Sequence, residues 1–145
     1  MSQEPATYTY YVYQSVSAAP AYEEIRRGVY LVDQADARYL EQFFDPLYEQ
    51  VGINISTTDD EVVVGNEQLG ALETAILDAL ENVSKRPPAW PVLLGYKLDR
   101  HGSRTGQEFW QDASRERIIA FLDRVLPLVR HARRTNGAIH FGGGT

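Results

Sequence analysis

The residues best suited to catalysis fall in one short loop. Asp99, His101 and Ser103 supply an acid, an imidazole and a hydroxyl, which are the groups of a hydrolase triad. A triad needs its members on separate rigid elements, whereas these lie two residues apart among turn-forming residues. No serine of the chain stands in a Gly-x-Ser-x-Gly frame. We therefore interpret residues 99–106 as a polar hairpin turn. A small enzyme that uses Asp99, His101 and Arg104 is kept as an alternative.

The sequence patterns that bind metals and cofactors are missing. The chain has no cysteine, which excludes disulfide bonds, a thiolate nucleophile and cysteine-ligated zinc or iron–sulfur sites. His101, His131 and His140 do not lie at a metal-ligand spacing from one another. Gly142–Gly144 lacks the following Lys-Ser/Thr and helix of a phosphate-binding loop. We expect no metal and no cofactor, and we expect His140 to be a surface or hydrogen-bonded residue.

Acids and tyrosines are the residues that could bind a partner. Asp59, Asp60 and Glu61 are adjacent, but they lack the spacing and the glycine of a calcium loop, which leaves a solvated turn or a contact for a basic partner. Tyr11 and Tyr13 fall on the more polar face of the first predicted strand, where a covering helix is the alternative to exposure. Aromatic anchors within a charged rim are typical of protein interfaces. We predict that these five residues contact a protein partner.

The charge of the chain is divided unevenly along its length. Residues 1–84 hold 15 acids and 3 bases, and residues 85–145 hold 5 acids and 11 bases, so the halves carry −12 and +6. Such a division favours either an acidic surface for a basic partner or two halves that pack together and compensate. The net charge of −6 disfavours a dedicated nucleic-acid binder. A nucleic-acid contact is kept as an alternative, through Arg117, Arg124, Arg130, Arg133 and Arg134.

The elements that must position these residues follow from apolar periodicity. Alternation predicts a hairpin or two short strands over 52–64, and strands over 6–16, 28–32, 90–98, 107–111 and 138–141. Apolar stripes at three- and four-residue steps predict three main helices, with N-caps at Asp33, Asn66 and Ser114. A further short helix is predicted over 20–27, and residues 142–145 are expected to fray.

Prolines and one Asn-Gly pair refine the limits of the predicted helices. Pro46 should kink the first main helix or restart it after Asp45, and Pro127 should kink the last one, because proline has no amide hydrogen to donate. Asn136-Gly137 should stop that last helix. The order of elements predicts an α+β fold, with a mostly antiparallel sheet covered by three amphipathic helices in a single domain over residues 1–145.

A chain of 145 residues is about one domain long. Its apolar runs and its N-terminus bear on where the protein is located. No apolar run approaches the length of roughly 20 residues that spans a bilayer, and residues 1–5 lack the basic and apolar regions of a signal peptide. We expect a cytoplasmic protein.

The C-terminal pattern is similar to one family. Residues 114–123, SRERIIAFLD, continue through Ala132 to residues 138–142, AIHFG, and this run resembles the C-terminal helix and strand of some small bacterial toxin-immunity proteins. Residue 143 is glycine, where an acid would match that pattern. The resemblance implies only a class of function and assigns no contact residue. Together with the acidic first half, it gives the hypothesis of a non-enzymatic binding module, a stoichiometric inhibitor of a basic toxin enzyme.

Overall fold

The structure of the chain is a computed structural model, and it describes residues 10–15, 29–31, 33–53, 55, 61–65, 67–98, 100–102 and 104–142. Its elements in chain order are β1 (Tyr10–Ser15), β2 (Val29–Leu31), α1 (Gln34–Phe44), α2 (Pro46–Val51), β3 (Glu61–Gly65), α3 (Glu67–Ser84), β4 (Ala89–Leu98), β5 (Arg104–Ser114), α4 (Arg115–Thr135) and β6 (Ala138–Gly142). This order confirms the predicted α+β class. That residues 1–145 form a single domain stays a prediction.

The helices begin and end where local chemistry predicts. The Asp33 carboxylate accepts the amides of Ala35 (3.0 Å) and Asp36 (3.2 Å), and so caps α1. The Ser114 hydroxyl accepts the amide of Arg117 and caps α4 in the same way. Asn136 ends α4 in the left-handed region at φ 56°. Three of the four predicted caps are therefore confirmed, and the fourth, Asn66, lies outside the described residues.

Proline acts differently in two of the helices. Pro46 ends α1 and starts α2 directly after Asp45, as predicted, and its missing amide hydrogen costs nothing at a first helical position. Gly52 then closes α2 in the left-handed region at φ 77°, where a side chain would be strained. Pro127 lies inside α4, and the helix continues through it to Thr135.

All strand pairs are antiparallel, but they form two sheets. The larger sheet has the order β2-β1-β6-β3, and β4 and β5 form a separate hairpin. β6 lies inside the larger sheet, where Val12 of β1 and Val62 of β3 both pair with Phe141. His140 of β6 is fully buried, so the expectation of a surface residue is wrong, whereas the alternative of a hydrogen-bonded residue stays a prediction.

Several strand predictions need revision. Of the hairpin or two short strands predicted over 52–64, the described residues contain the strand β3, which pairs with β6, and residues 54 and 56–60 lie outside the described residues. β5 is longer than predicted and begins at Arg104, so residues 104–106 are strand and not loop. Gly106, with φ 84°, allows this extension, because it lies in the irregular stretch between two regular parts of the ladder. The predicted helix over 20–27 and residues 143–145 lie outside the described residues, whereas Gly142 belongs to β6.

The core lies between the larger sheet and the three long helices. α4 packs across β1, β2 and β6, and α3 packs against both α4 and β3. The Phe44 and Phe141 rings meet at 6.2 Å between centroids and join α1 to the sheet. The β4–β5 hairpin packs on α1, where the Trp90 ring meets the Tyr39 ring edge-on at 5.0 Å. The predicted apolar stripes are confirmed as the buried faces of these helices.

Candidate protein-binding groove

One long stretch of the chain carries acids and no bases. Between Tyr39 and Ser84 the sequence has ten Asp or Glu residues and no Lys, Arg or His. This stretch includes most of α1 and all of α2 and α3, and the structure packs α1 and α2 against α3. The three helices therefore form one acidic side of the molecule.

A groove of about 320 Å³ runs between α1–α2 and α3 on this side. It is lined by Gln42, Phe43, Pro46, Leu47, Gln50, Ala71, Thr74, Ala75 and Asp78. Apolar side chains form its floor, where Leu47 and Ala75 are buried and Phe43 and Ala71 are half-buried, whereas most of its exposed lining is polar. α3 contributes mostly short side chains here, which leaves the space that the groove occupies.

Hydrogen bonds between side chains and the neighbouring helix fix both ends of the groove. At one end, the Gln68 amide donates to the carbonyl of Val51 at 3.0 Å and so joins the start of α3 to the end of α2. At the other end, the Tyr39 hydroxyl donates to the Asn82 amide oxygen and joins α1 to the last turns of α3. These bonds hold the walls at a set separation, so the groove is formed before any ligand arrives.

The acids around the groove are poorly compensated. Three acids of the three-helix side form ion pairs: Glu41 with Arg38, Glu81 with Lys85, and Glu73 with Arg130 and Arg133. Four others have no ion pair with any residue in the part of the chain that the structure describes: Asp45, Glu49, Glu67 and Asp78. Asp78 lines the groove, and Asp45 and Glu49 are adjacent in sequence to lining residues.

Burial is the main cause of a raised pKa at Glu41 on this side. Burial of Glu41 raises the pKa of its carboxyl, the nearby Asp45 raises this pKa further, and Arg38 lowers it. The charge of Arg38 therefore does not offset the combined effect of burial and a second carboxylate. A cation brought to the groove would meet several carboxylates and no competing base from its walls.

Ion pairs between the two halves of the chain compensate charge along α4. Arg117 of α4 bonds the Asp36 carboxylate at 2.7 Å and lies 3.3 Å from that of Asp33. Arg133 lies 3.3 Å from the Glu73 carboxylate. Internal compensation, one of the two explanations of the divided charge, therefore holds along α4. It does not extend to the groove, where the acids remain.

Asp36 is the most deeply buried charge among the described residues. Its side chain is 0% exposed, and it accepts the amide of Ser114 at 2.8 Å besides its bonds to Arg117. Burial raises the pKa of Asp36, whereas the bonds to Arg117 and Ser114 lower it by less. The same bond to Asp36 raises the pKa of Arg117, which is half exposed and loses little hydration. This cluster joins the start of α1 to the start of α4 and is structural.

The structure relates part of the predicted partner-binding set through backbone pairing. Tyr11 of β1 and Glu61 of β3 both pair with Gly142, so they occupy one row across the sheet, two strands apart. Two residues further along β1, Tyr13 lies opposite the buried His140. The side chains of Tyr11, Tyr13 and Glu61 are not described, and Asp59 and Asp60 lie outside the described residues. The contact surface predicted from these five residues stays a prediction.

The two alternative functions fare differently. In the loop of the enzyme alternative, His101 is exposed in the turn, Arg104 begins β5, and Asp99 and Ser103 lie outside the described residues. The three cavities between α1–α2 and α3, beside the Asp36–Arg117 pair and at the last turns of α4 are lined by other residues. In the nucleic-acid alternative, the five arginines all lie on α4, but three of them are held by acids of the first half: Arg117, Arg130 and Arg133.

No motif in the sequence predicts the groove itself. Its lining comes from three helices, and its walls meet only when α2 packs on α3. One signal was available, because a run of 46 residues without a base, from Tyr39 to Ser84, is visible in the sequence. That run identifies the acidic side, although not the apolar floor between the helices.

Among the residues that the structure describes, no group of three or more His, Asp or Glu residues is placed to hold a metal ion. None of the described helices is both long and apolar enough to cross a membrane. Comparison with protein families, with characterised proteins and with solved structures finds no match to this chain.

Proposed function

We propose that the chain is a non-enzymatic binding module that recognises a basic protein, and that this protein is an enzyme of the toxin class which the module inhibits by forming a one-to-one complex. The observation that carries the proposal is the groove between α1–α2 and α3, which has an apolar floor and acids without bases around it. The resemblance of the C-terminal pattern to toxin-immunity proteins supplies the class of partner.

The chemistry of the groove fits a segment rich in lysine or arginine. Such side chains place their aliphatic stems on an apolar surface and their charged ends beside carboxylates. The half-buried Phe43 and the exposed Pro46 would contact the stems, and Asp78 would meet a charged end. Acids spread over the three helices also speed the approach of a basic protein, because long-range attraction raises association rates.

Inhibition would follow from occupancy. An enzyme that acts on a polyanion carries a basic cleft, and an acidic surface seated in that cleft excludes the substrate. The inhibitor needs no catalytic group of its own. Its affinity would depend on salt, because the contact is made between opposite charges that ions screen.

The test begins by identifying a partner by affinity capture from the source cells and then purifying it. Association of the pure partner is measured with the chain and with the triple variant Asp45→Lys/Glu49→Lys/Asp78→Lys. We expect the triple variant to associate at least about tenfold more slowly at low salt, with a weaker dependence on salt. Asp123→Lys is the matched control, because Asp123 is an exposed acid of α4 outside the groove.

Each outcome bears on the proposal. An equal slowing per reversed charge in the triple variant and in Asp123→Lys would show that only net charge matters, and the groove would be excluded. An acidic partner, or a partner without enzymatic activity, would refute the proposed class.

The surface predicted from the sequence gives a different pattern of effects. If it forms the contact, reversing Asp59 and Asp60 to lysine slows association, and Tyr11→Ala or Tyr13→Ala speeds dissociation. Those effects, with the groove variants unchanged, would move the contact from the groove to the larger sheet.

A further inference from the structure

A second cleft lies on the other side of α3, between α3 and the last turns of α4. It has a volume of about 340 Å³ and is lined by Glu73, Arg130, Arg133 and Arg134. Three guanidinium groups therefore face one carboxylate. The cleft is basic, although α3 bounds the acidic groove on its other side.

The arginines of this cleft keep most of their hydrogen-bonding capacity. Arg130 and Arg133 both approach the same oxygen of Glu73, at 3.8 and 3.3 Å. A guanidinium has five N–H donors, so one shared carboxylate oxygen satisfies few of those present. Arg134 has no ion pair with a residue in the described ranges. Each of the two paired arginines is about half exposed, so a ligand in solution can reach them.

The backbone of α3 helps to position one of these groups. A Cβ placed on Gly70 would lie 3.8 Å from an Nη atom of Arg133, so the guanidinium rests against α3 at a residue without a side chain. The Arg133 guanidinium therefore contacts α3 at Gly70 and lies 3.3 Å from the Glu73 carboxylate. A guanidinium that is already positioned loses less entropy when it binds an anion.

We propose that this cleft binds a doubly charged phosphate group, as inorganic phosphate or as a phosphate monoester. Arginine is suited to phosphate because its planar set of donors matches the oxygens in pairs. A monoester has three terminal oxygens and up to two charges, and three arginines with one carboxylate leave a net charge of two to neutralise. The shared chemistry is that of the terminal phosphate, whichever molecule carries it.

A nucleic-acid backbone fits the cleft less well. A strand presents a series of singly charged phosphates and needs a basic track of comparable length. Here the basic cluster is confined to one end of α4, and α3 carries the acidic groove on its opposite side. The net charge of −6 would also repel a polyanion.

The experiment titrates the full chain with inorganic phosphate and with methyl phosphate and follows amide NMR signals, while chloride keeps the ionic strength constant. We expect saturable shifts at Gly70 and at the cleft residues of α4. Arg133→Gln should weaken binding by about tenfold or more, because a charge-assisted hydrogen bond of roughly 1.5–3 kcal/mol corresponds to that factor. The amide spectrum of the variant shows whether it is folded.

A second variant separates binding from structure. Glu73→Gln removes the carboxylate that competes with phosphate, so affinity should rise severalfold although an ion pair between the helices is lost. A merely structural role for the pair predicts no such gain. Arg124→Gln is the control, because Arg124 is an exposed arginine of α4 outside the cleft, and it should leave the affinity unchanged.

Three results would overturn the proposal. The first is the absence of saturation with either phosphate. The second is an equal loss of affinity in Arg133→Gln and Arg124→Gln, which would show attraction to charge in general. The third is displacement of phosphate by a single-stranded oligonucleotide that binds far more tightly, per phosphate group, than inorganic phosphate or methyl phosphate. That result would assign the cleft to nucleic acid.

Discussion

Removing Arg117 should destabilise the fold more than removing its partner Asp36. Asp36 is 0% exposed and Arg117 is about half exposed, so the two residues lose different amounts of hydration when the chain folds. Arg117→Met keeps most of the aliphatic stem and leaves the Asp36 carboxylate buried without its main counter-charge. Asp36→Asn keeps the shape of the buried side chain and leaves a guanidinium that water can reach.

The magnitudes follow from this difference in burial. Breaking a buried pair so that one charge is left uncompensated costs about 3–5 kcal/mol. We expect Arg117→Met to lower the free energy of unfolding by about 3 kcal/mol at neutral pH. This value is the lower limit of that range, because the amide of Ser114 still donates to Asp36. For Asp36→Asn we expect a destabilisation of about 1.5 kcal/mol, the lower limit for a hydrogen bond to a charged group, because the guanidinium can turn to water.

The destabilisation by Arg117→Met should depend on pH, because Arg117 changes the pKa of Asp36. Burial already raises the pKa of Asp36, and Arg117→Met removes the bonds by which Arg117 lowers it. When the pKa of a group is higher in the folded than in the unfolded state, its contribution to stability is lost as the pH rises through the folded value. The cost of Arg117→Met should therefore be largest at neutral pH. It should shrink as the pH falls towards the unfolded Asp pKa of about 3.9.

Urea unfolding followed by tryptophan fluorescence, at about pH 7.5 and about pH 4.5, measures these differences against the unmodified chain. Arg124→Met is the matched control, since Arg124 is exposed on the same helix and has no ion pair with a described residue. If Arg117→Met costs no more than this control, or costs the same at both pH values, Asp36 does not carry a buried charge that needs Arg117.

Three other changes test the fold. Leu122→Ala should destabilise it by about 2–5 kcal/mol, because Leu122 is fully buried in the middle of α4; a cost below about 1 kcal/mol in urea titrations would mean that the wrong face of α4 is taken as buried. Gly70→Ala should stabilise α3 by about 0.5–1 kcal/mol, because Gly70 lies in a helix without a positive φ. Gly52→Ala should destabilise the chain by a similar amount, because Gly52 has a positive φ, so thermal unfolding should show shifts of opposite sign. Tyr39→Phe removes the hydrogen bond to Asn82 and should cost about 1 kcal/mol in the same assay, with no cost if this bond does not hold the end of the groove.

The features predicted correctly from the sequence are those that a few neighbouring residues determine. Asp33 and Ser114 each cap a helix because the side chain bonds an amide two or three residues ahead. Pro46 and Asn136 act on the residues next to them. Such bonds do not depend on where the rest of the chain lies, so sequence patterns report them directly.

The features that sequence patterns did not predict join distant residues. Asp36 and Arg117 lie 81 positions apart, and nothing near either residue in sequence indicates the pair. His140 has the alternation of a strand with one face in water, yet its side chain is fully buried in the folded chain. The separation of β4 and β5 from the larger sheet also depends on strand pairing across the chain. These outcomes are decided by packing, for which local patterns carry little information.

The proposed binding site combines both kinds of feature. Its acids could be counted from the sequence, whereas its apolar floor exists only because Leu47 of α2 and Ala75 of α3 lie on facing helices. The interface predicted from Tyr11 and Glu61 rests on residue type. The structure relates these two residues only through the backbone pairing of their strands with β6. Residue type thus indicated the chemistry of a contact, and helix packing supplied its position.

Hydrogen exchange of the chain, alone and in complex with its purified basic partner, tests the binding account most directly. The account predicts slower amide exchange in the complex over residues 42–51 of α1 and α2 and over residues 67–78 of α3, which surround the groove. Exchange in β1 and β3 and in the last turns of α4 should stay as it is in the free chain. Protection confined to those strands or to α4, with residues 42–51 unchanged, would contradict the groove as the binding site.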